Sequence, residues 1–188
     1  MLKIFNDLQP FIEDCSRRYA VREYARTRNV SPPTASTMLS RFHKEGLLSM
    51  HKERTYLFFW ANKESPLFKG LARLYWLMKL EETQFLPFLR EVFTTPTAIL
   101  FGSLAKTENN ADSDIDIAVI SPKIKISLEK YEKRLKRKIH LLMFADSKAI
   151  PKELQENIFN GYVLCGRIKT DGLERMRREE NSKGHTTR

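Results

Sequence analysis

Two aspartates separated by one residue are the clearest chemical feature of the sequence. Asp114 and Asp116 lie in the segment DSDIDIAVI, which becomes apolar after the second aspartate. Side chains alternate between the two faces of a β-strand, so both carboxylates are predicted to share one face while Ile115 and Ile117 point to the other. Two carboxylates this close repel each other unless a cation lies between them. Mg²⁺ is the natural cation, because it prefers one or two protein carboxylates together with substrate phosphate.

A turn of small residues precedes the aspartates. The apolar run Thr97–Phe101 ends in Gly102 and Ser103, after which a helix can begin. Backbone N–H groups at such a turn, and the positive end of a helix dipole, favour phosphate. Glycine is needed where the backbone approaches phosphate closely. A metal site beside a phosphate site is typical of a nucleoside triphosphate held for phosphoryl chemistry.

The whole segment FGSLAKTENNADSDIDIAVI resembles the polymerase-beta-like nucleotidyltransferase superfamily, and among its branches the minimal nucleotidyltransferases. The resemblance is close over residues 98–120 and looser from there to about residue 168. It implies that Gly102 and Ser103 bind the β- and γ-phosphates of a nucleotide. It also implies that Asp114 and Asp116 bind the metal ions.

The resemblance further implies a reaction. A hydroxyl group attacks the α-phosphate of a nucleoside triphosphate, with ATP the expected one, and pyrophosphate leaves. Two Mg²⁺ ions would hold the entering and leaving oxygens. Lys106 stands where the family usually has a basic residue and is predicted to bind nucleotide, whereas Thr107 replaces the family's usual glycine.

One position departs from the family where catalysis is concerned. The family supplies a third carboxylate from a later strand, here Ile139–Phe144, but the expected position holds His140. A neutral imidazole can act as the base, so His140 is a candidate catalytic residue. Two alternatives stay open: His140 is only a structural residue, or Asp146 substitutes in another register. Without a third acid, nucleotide and Mg²⁺ can still bind while transfer slows or stops.

Three further elements are predicted after the aspartates: a basic helix with a solvated face, an amphipathic helix and a final buried strand. They cover residues 128–138, 151–160 and 162–165. The amphipathic helix is expected to turn Leu154, Ile158 and Phe159 inward. Cys165 in the last strand is expected to be a core thiol.

The first third of the chain predicts three helices and a hairpin. A helix over residues 2–14 and a short second helix precede a third, which has Ser31 as its N-cap and Pro32 at its first position. Apolar residues then recur at i, i+3, i+4 and i+7, and Gly46 ends the helix. Two apolar runs around a polar turn at residues 51–54 predict a β-hairpin.

Helix-turn-helix followed by a hairpin resembles the winged-helix family, over about residues 1–61. The resemblance implies binding of double-stranded DNA, with the third helix in the major groove and the hairpin tip against phosphate or the minor groove. The candidate DNA-binding residues are Thr34, Ser36, Thr37, Ser40, Arg41, Lys44, Lys52 and Arg54. The alternative is that this unit only packs against the rest of the chain or against a second copy.

A helical, apolar segment over residues 62–93 joins the two halves, with an interruption expected at Pro87. It holds no Gly-Ser-Pro linker, so it is expected to pack the two units together rather than let them swing. Tyr75 and Trp76 are expected to be core residues. A surplus apolar face would suit a homodimer.

Composition favours polyanionic partners. The 188 residues include 33 Lys and Arg against 23 Asp and Glu, a formal charge of +10 spread over both halves. Hydrophobic residues are 41% and charged residues 30% of the chain, as in globular proteins, and no apolar run approaches the roughly 18 residues of a membrane span. Two widely separated cysteines and the lack of a signal-peptide pattern predict a cytoplasmic protein.

These observations predict an α+β protein with four segments. They are a winged helix (1–61), a helical connector (62–93), a small α/β nucleotidyltransferase domain with a mixed sheet (94–170) and a polar tail (171–188). The leading function is Mg²⁺-dependent transfer of a nucleoside monophosphate to a hydroxyl acceptor, coupled to DNA binding. The alternatives are a transcriptional regulator whose transferase-like domain binds nucleotide with little or no catalysis, and an antitoxin-like protein acting on a partner toxin.

Overall fold

The computed structural model describes residues 2–93 and 96–168. The helices are α1 Lys3–Glu13, α2 Val21–Arg28, α3 Pro32–Lys44, α4 Pro66–Glu82, α5 Phe85–Val92, α6 Gly102–Lys106, α7 Glu129–Leu135 and α8 Lys152–Phe159. The strands are β1 Tyr19–Ala20, β2 Leu48–Glu53, β3 Tyr56–Ala61, β4 Thr97–Phe101, β5 Ile115–Ile120, β6 Ile139–Phe144 and β7 Tyr162–Cys165. Within these residues, none of the helices combines the length and the apolar character that a membrane span requires. The tail predicted for residues 171–188 lies outside the described residues.

Helices α1, α2 and α3 pack around an aromatic core. Phe11 stacks on Tyr24 with ring centroids 5.6 Å apart, and the Tyr24 hydroxyl donates to the carbonyl of Asp7 over 2.8 Å. Ser31 begins α3 as predicted, because its hydroxyl accepts a hydrogen bond from the backbone N–H of Thr34. The predicted three helices are therefore present. Their assignment to the winged-helix family remains a prediction.

The hairpin is longer than predicted and its turn is shorter. Glu53 pairs with Tyr56, so only Arg54 and Thr55 form the turn, and Arg54 has a left-handed φ of 54°. Lys52 therefore lies inside β2 rather than at the tip. Such two-residue turns match the twist of the flanking strands. The short strand β1 was not predicted, since two residues carry no periodicity; it adds to β3, giving the order β1-β3-β2.

The connector forms two helices, but its predicted break at Pro87 is wrong. The chain bends instead at Thr83 and Gln84, and Gln84 has a left-handed φ of 66°. Pro87 is the third residue of α5, where the backbone N–H has no intrahelical partner and proline is tolerated. Tyr75 and Trp76 are buried, as predicted.

The second sheet is mixed, which confirms that prediction. Its order is β6-β5-β4-β7, with β5 and β6 parallel and the other pairs antiparallel. On one face, Leu100, Ile117 and Val119 join the same hydrophobic core as the N-terminal helices and α4. On the other face, Ile99 and its neighbours pack against α8. The sheet is therefore covered on both sides.

Three predictions for the C-terminal elements need correction. Helix α7 is shorter than the predicted 128–138, because Lys136 adopts a left-handed φ of 55° and ends it. Phe159 is 42% exposed rather than inward, since it is the last residue of α8. Strand β7 is an edge strand with Val163 38% exposed, so it is not fully buried, and Cys165 is only partly buried.

Hydrogen bonds join the N-terminal unit to the C-terminal half of the chain at the C-terminal end of α1. The Asn109 side-chain amide donates to the carbonyls of Ile12 and Glu13 over 2.9 and 3.0 Å, and Arg137 donates to the Glu13 carbonyl over 2.6 Å. The Arg137 guanidinium also lies 5.3 Å from the ring centroid of Trp76. Carbonyls at a helix C-terminus lack intrahelical partners, so these contacts satisfy groups that would otherwise stay unpaired. Arg137 is thus half-buried in this junction and not on the solvated face predicted for the basic helix.

Glu13 also ties α1 to the connector. Its carboxylate accepts hydrogen bonds from the Tyr75 hydroxyl and the Lys79 ammonium. Burial tends to raise the pKa of Glu13, but the hydrogen bonds from Lys79 and Tyr75 outweigh burial and lower the pKa below its ordinary value. The ionised form of Glu13 is therefore the one that stabilises this contact.

Candidate active site

Strands β4 and β5 bring Gly102 against Asp116. Phe101, the last residue of β4, pairs with Asp116, so the chain turns at Gly102 beside the aspartate. Gly102 has a φ of 70°, and a Cβ at this position would lie 2.2 Å from Oδ2 of Asp116. Glycine alone permits both this backbone conformation and this approach. The close approach that the sequence predicts for phosphate is made here to a carboxylate.

Asp114 and Asp116 lie at the start of β5. Asp114 directly precedes the strand, while Ile115 and Ile117 are in the hydrophobic core on the opposite face from Asp116. Burial raises the pKa of Asp116, the hydrogen bond and charge of His140 lower it, and the nearby negative charge of Asp114 raises it again, so that the net change is upward. The site therefore disfavours its own negative charge, which a bound cation would stabilise.

His140 lies beside Asp116 on the neighbouring parallel strand. Asp116 and His140 are register partners in β5 and β6, and Nδ1 of His140 is 3.2 Å from Oδ1 of Asp116. The side chain of His140 is 62% exposed, against 25% for Asp116. A histidine thus occupies the position where the family resemblance places a third carboxylate, and it faces open solvent.

Asp146 does not take the place of that carboxylate. It caps the 3₁₀ turn Ser147–Ala149, and its Oδ1 accepts from the backbone N–H groups of Lys148 and Ala149 over 2.8 and 2.9 Å. It follows His140 by six residues, about 20 Å at ~3.3 Å per strand residue. The alternative register that would bring Asp146 to the site is therefore wrong.

The residues after Gly102 form the short helix α6. Ser103 is half-buried, and its carbonyl accepts from the Glu108 backbone N–H over 2.9 Å. Lys106 is exposed at the end of the helix, and among the described residues no hydrogen bond or ion pair joins it to the aspartates. Thr107 is buried with a left-handed φ of 59°, a conformation in which glycine would be unstrained. This explains how a glycine could stand at the same place in related sequences.

A comparison with protein families finds a match over this part of the chain. Residues 86–170 match the family described as "Polymerase beta, Nucleotidyltransferase". The match supports a nucleotidyltransferase domain. It covers 85 of the 188 residues, including Gly102, both aspartates and His140. It indicates a nucleotidyltransferase-type function with a nucleotide substrate. No curated protein and no solved structure is significantly similar to the chain.

Helix α5 packs against the nucleotidyltransferase domain. The match begins inside this helix, at residue 86. Phe85 and Phe88 contact the ring of Tyr131 in α7, with centroid distances of 5.4 and 4.8 Å. The helix thus supports the side of the sheet opposite Asp116.

The donor groups of the nucleotidyltransferase domain fit a divalent cation that is completed by substrate. Within residues 2–93 and 96–168, no group of three or more His, Cys, Asp or Glu forms a metal site by itself. Two carboxylates, of which Asp116 is half-buried and has its charge disfavoured by burial, are nevertheless the protein ligands that Mg²⁺ prefers, with phosphate and water supplying the remainder. The metal ion would therefore be held jointly by Asp114, Asp116 and the phosphates of the nucleotide.

Arg137 is a positioning residue that the sequence analysis missed. Besides its contact with α1, its guanidinium donates to the carbonyls of Asn110 and Ser113 in the loop before Asp114. The Asn110 contact measures 3.0 Å. Arg137 thereby fixes the loop that delivers the first aspartate. No local pattern distinguishes this arginine from the other basic residues around it.

The candidate DNA-binding residues lie on α3 and the hairpin, and all except Ser36 are exposed. The exposed ones are Thr34, Thr37, Ser40, Arg41, Lys44, Lys52 and Arg54. Ser36 is half-buried. Several side chains have local partners: the Thr37 hydroxyl donates to the Pro33 carbonyl over 3.1 Å, and Arg41 lies 3.7 Å from Glu45.

Proposed function

We propose that the nucleotidyltransferase domain transfers a nucleoside monophosphate from ATP to a hydroxyl acceptor in a Mg²⁺-dependent reaction. One observation carries the proposal: Gly102, Asp116 and His140 converge at one end of the sheet. Gly102 leaves no room for a Cβ beside Asp116, and His140 lies 3.2 Å from Asp116 with its ring open to solvent.

Each residue has a separate role in this proposal. Asp114 and Asp116 would hold Mg²⁺, which when bound neutralises charge on the phosphates and on the leaving pyrophosphate. Gly102 and Ser103 would receive the β- and γ-phosphates, and Lys106 would add a positive charge to the same end of the nucleotide.

His140 would accept the proton of the attacking hydroxyl. When its Nδ1–H donates to Asp116, the lone pair of Nε2 is left free on the exposed side of the ring. The carboxylate thereby selects the tautomer that can act as a base. His140 would do by imidazole what the third carboxylate does in the family that the sequence resembles.

Labelled ATP tests the proposal directly. The purified protein is incubated with Mg²⁺, ATP labelled in the α-phosphate, and acceptors of three classes: RNA, DNA and protein. Label should appear on one acceptor and be lost in Asp114→Ala and Asp116→Ala. Transfer that persists in both variants would contradict the assignment of the site.

Two replacements of His140 test its role. His140→Asn keeps a hydrogen-bonding side chain beside Asp116 but removes the base, so turnover should fall by about 10²-fold while ATP binding persists. His140→Asp restores the carboxylate of the family and should raise turnover above that of the Asn variant. Equal turnover in the wild type and His140→Asn would show that His140 is a structural residue.

A regulator that binds nucleotide without transferring it is the second candidate function. The observation that favours it is the histidine in the place of the third carboxylate. It predicts binding of Mg²⁺ and ATP, measured by calorimetry, with no label on any acceptor. An antitoxin-like role would instead appear as label on a partner protein. That partner, a toxin in the same compartment, would be the acceptor.

We further propose that the N-terminal unit is a winged helix that binds double-stranded DNA. The exposed hydroxyl and basic side chains of α3, and the net charge of +10, support this proposal. Replacing Arg41 or Lys44 with alanine should weaken binding and lower the slope of log K against log salt by about one each. Lys130→Ala, on the other unit, is the control. Lack of binding to any duplex at low salt would reject the proposal.

A further inference from the structure

A cleft of about 520 Å³ lies between the N-terminal unit and the nucleotidyltransferase domain. Glu13 and Lys79 line it. The N-terminal unit also contributes Arg28 from the end of α2, and the nucleotidyltransferase domain contributes Arg134 and Lys136 from the end of α7. The cleft therefore exists only because the two units pack together, and both contribute cations to it.

The charge of the cleft is strongly positive. Six lysine or arginine side chains line it, against the two carboxylates of Glu13 and Asp14. Both carboxylates are already engaged. Glu13 accepts hydrogen bonds from Lys79 and Tyr75. Asp14 accepts from the Ser16 hydroxyl and, over 3.2 Å, from the Arg17 backbone N–H. Six cations against two carboxylates leave an excess of four positive charges.

Three of the six cations have protein partners: Arg137 donates to backbone carbonyls, Lys79 pairs with Glu13, and Arg17 pairs with Glu23. The other three, which are not saturated by protein groups, are Arg28, Arg134 and Lys136.

The unsaturated cations come from both units. Within residues 2–93 and 96–168, Arg134 donates from one nitrogen only, to the Thr83 carbonyl over 3.1 Å. Among the described residues, Lys136 has no ion pair, and Nε of Arg28 is buried without a hydrogen-bond partner. Buried polar groups are normally satisfied, so an unsatisfied guanidinium beside a cationic cleft points to an absent anionic ligand.

We propose that this cleft binds a phosphorylated ligand through Arg28 of the N-terminal unit and Arg134 and Lys136 of the nucleotidyltransferase domain. Guanidinium groups suit phosphate because they donate two parallel hydrogen bonds, and the volume is that of a small-ligand site. The phosphates belong either to an oligonucleotide or to a free nucleotide. Ala111 also lines the cleft, three residues before Asp114 in the same loop.

Fluorescence polarisation with two probes tests the proposal. The probes are a labelled single-stranded oligonucleotide and a labelled ATP, the latter measured without Mg²⁺ so that the aspartate site does not contribute. Arg134→Glu with Lys136→Glu should weaken binding of one probe by at least about tenfold. Lys130→Glu with Lys133→Glu is the matched control: it makes the same change of net charge on the same helix, outside the cleft, and should alter affinity by less than about twofold.

The outcomes separate the sources and the rival explanations. Loss confined to the oligonucleotide identifies a nucleic-acid strand, and loss confined to ATP identifies a second nucleotide site. Equal loss in the two double variants, or no binding of either probe by the wild type, would overturn the proposal. If charge reversal unfolds the protein, the double variant Arg134→Gln with Lys136→Gln tests the same contacts by removing the two charges instead of reversing them.

This inference stands beside the proposed function and does not require it. Asp114→Ala should abolish nucleotidyl transfer and leave binding of the cleft probe unchanged. Loss of cleft binding in Asp114→Ala would show that the probe occupies the aspartate site instead, which would also overturn the proposal.

Discussion

Replacing Gly102 with alanine tests the geometry on which the proposed active site depends. The added methyl carbon would lie 2.2 Å from Oδ2 and 3.1 Å from Cγ of Asp116. Ordinary van der Waals contact begins at 3.4 Å, so the carboxylate or the turn must move by about 1.2 Å (3.4 less 2.2). The other carboxylate oxygen is bonded to His140, so a rotation of Asp116 disturbs that contact as well.

Two effects add to the loss of stability in this variant. A left-handed φ of 70° costs a residue with a Cβ about 1 kcal/mol relative to glycine. Overpacking against Asp116 adds about 1–3 kcal/mol. Since 1 kcal/mol lowers the Tm of a chain of this size by about 2–4 °C, we expect a fall of roughly 5–15 °C. Affinity for Mg²⁺ and ATP should fall by at least about tenfold, because Asp116 no longer holds its position.

Gly46→Ala is the matched control for the backbone effect. Gly46 has a φ of 73°, but a Cβ at this position meets nothing within 4 Å. Its Tm should therefore fall by only about 2–4 °C, with no change in ATP affinity. Adding Asp116→Ala to Gly102→Ala should restore the part of the Tm that the clash removed. Equal losses of Tm in Gly102→Ala and Gly46→Ala, both measured by circular dichroism, with unchanged ATP binding measured by calorimetry, would refute the reasoning.

Three further variants test the charges and contacts around the site by thermal denaturation. Without Mg²⁺ and ATP, Asp116→Asn should raise the Tm at neutral pH, because burial raises the pKa of Asp116 and its charge then destabilises the fold; the gain should vanish once acid protonates the wild-type carboxyl. Glu13→Gln should lower the Tm at neutral pH, since hydrogen bonds from α4 outweigh burial and lower the Glu13 pKa; the difference should shrink as the pH falls through that lowered pKa. Arg137→Lys should cost about 2–4 kcal/mol, because one ammonium cannot replace a guanidinium bonded to three carbonyls, whereas Arg134→Lys should change the Tm little.

Elements whose ends are marked by capping or turn residues were predictable from the sequence. Ser31 and Pro32 mark the start of α3, and Gly102 follows a short apolar run that matches β4. Pro87 misled the prediction because proline breaks a helix only beyond the first turn. The turn of the hairpin was misplaced because its charged residues can lie equally well in an exposed strand.

The residues of the candidate site were picked out by their pattern, but their close contacts were not predictable. The spacing of Asp114 and Asp116 indicates paired carboxylates, and the family resemblance led to His140. A glycine signals close approach without naming the neighbour, so Asp116 beside Gly102 could not be predicted. Asn109 contacts α1 across 97 and 96 positions of sequence, a separation at which no local pattern carries information.

The junction between the units gives a physical reason for joining the N-terminal unit, with its proposed DNA binding, to a nucleotidyltransferase domain. Arg137 holds the end of α1 with one nitrogen and the loop before Asp114 with another. A shift of α1 when the N-terminal unit binds DNA would therefore strain the contact that positions the loop. If such strain changes the affinity for nucleotide, then nucleotide must change the affinity for DNA by the same factor, because coupling between two sites is reciprocal. Arg137→Lys should reduce both changes equally, since it weakens a contact that joins α1 to that loop.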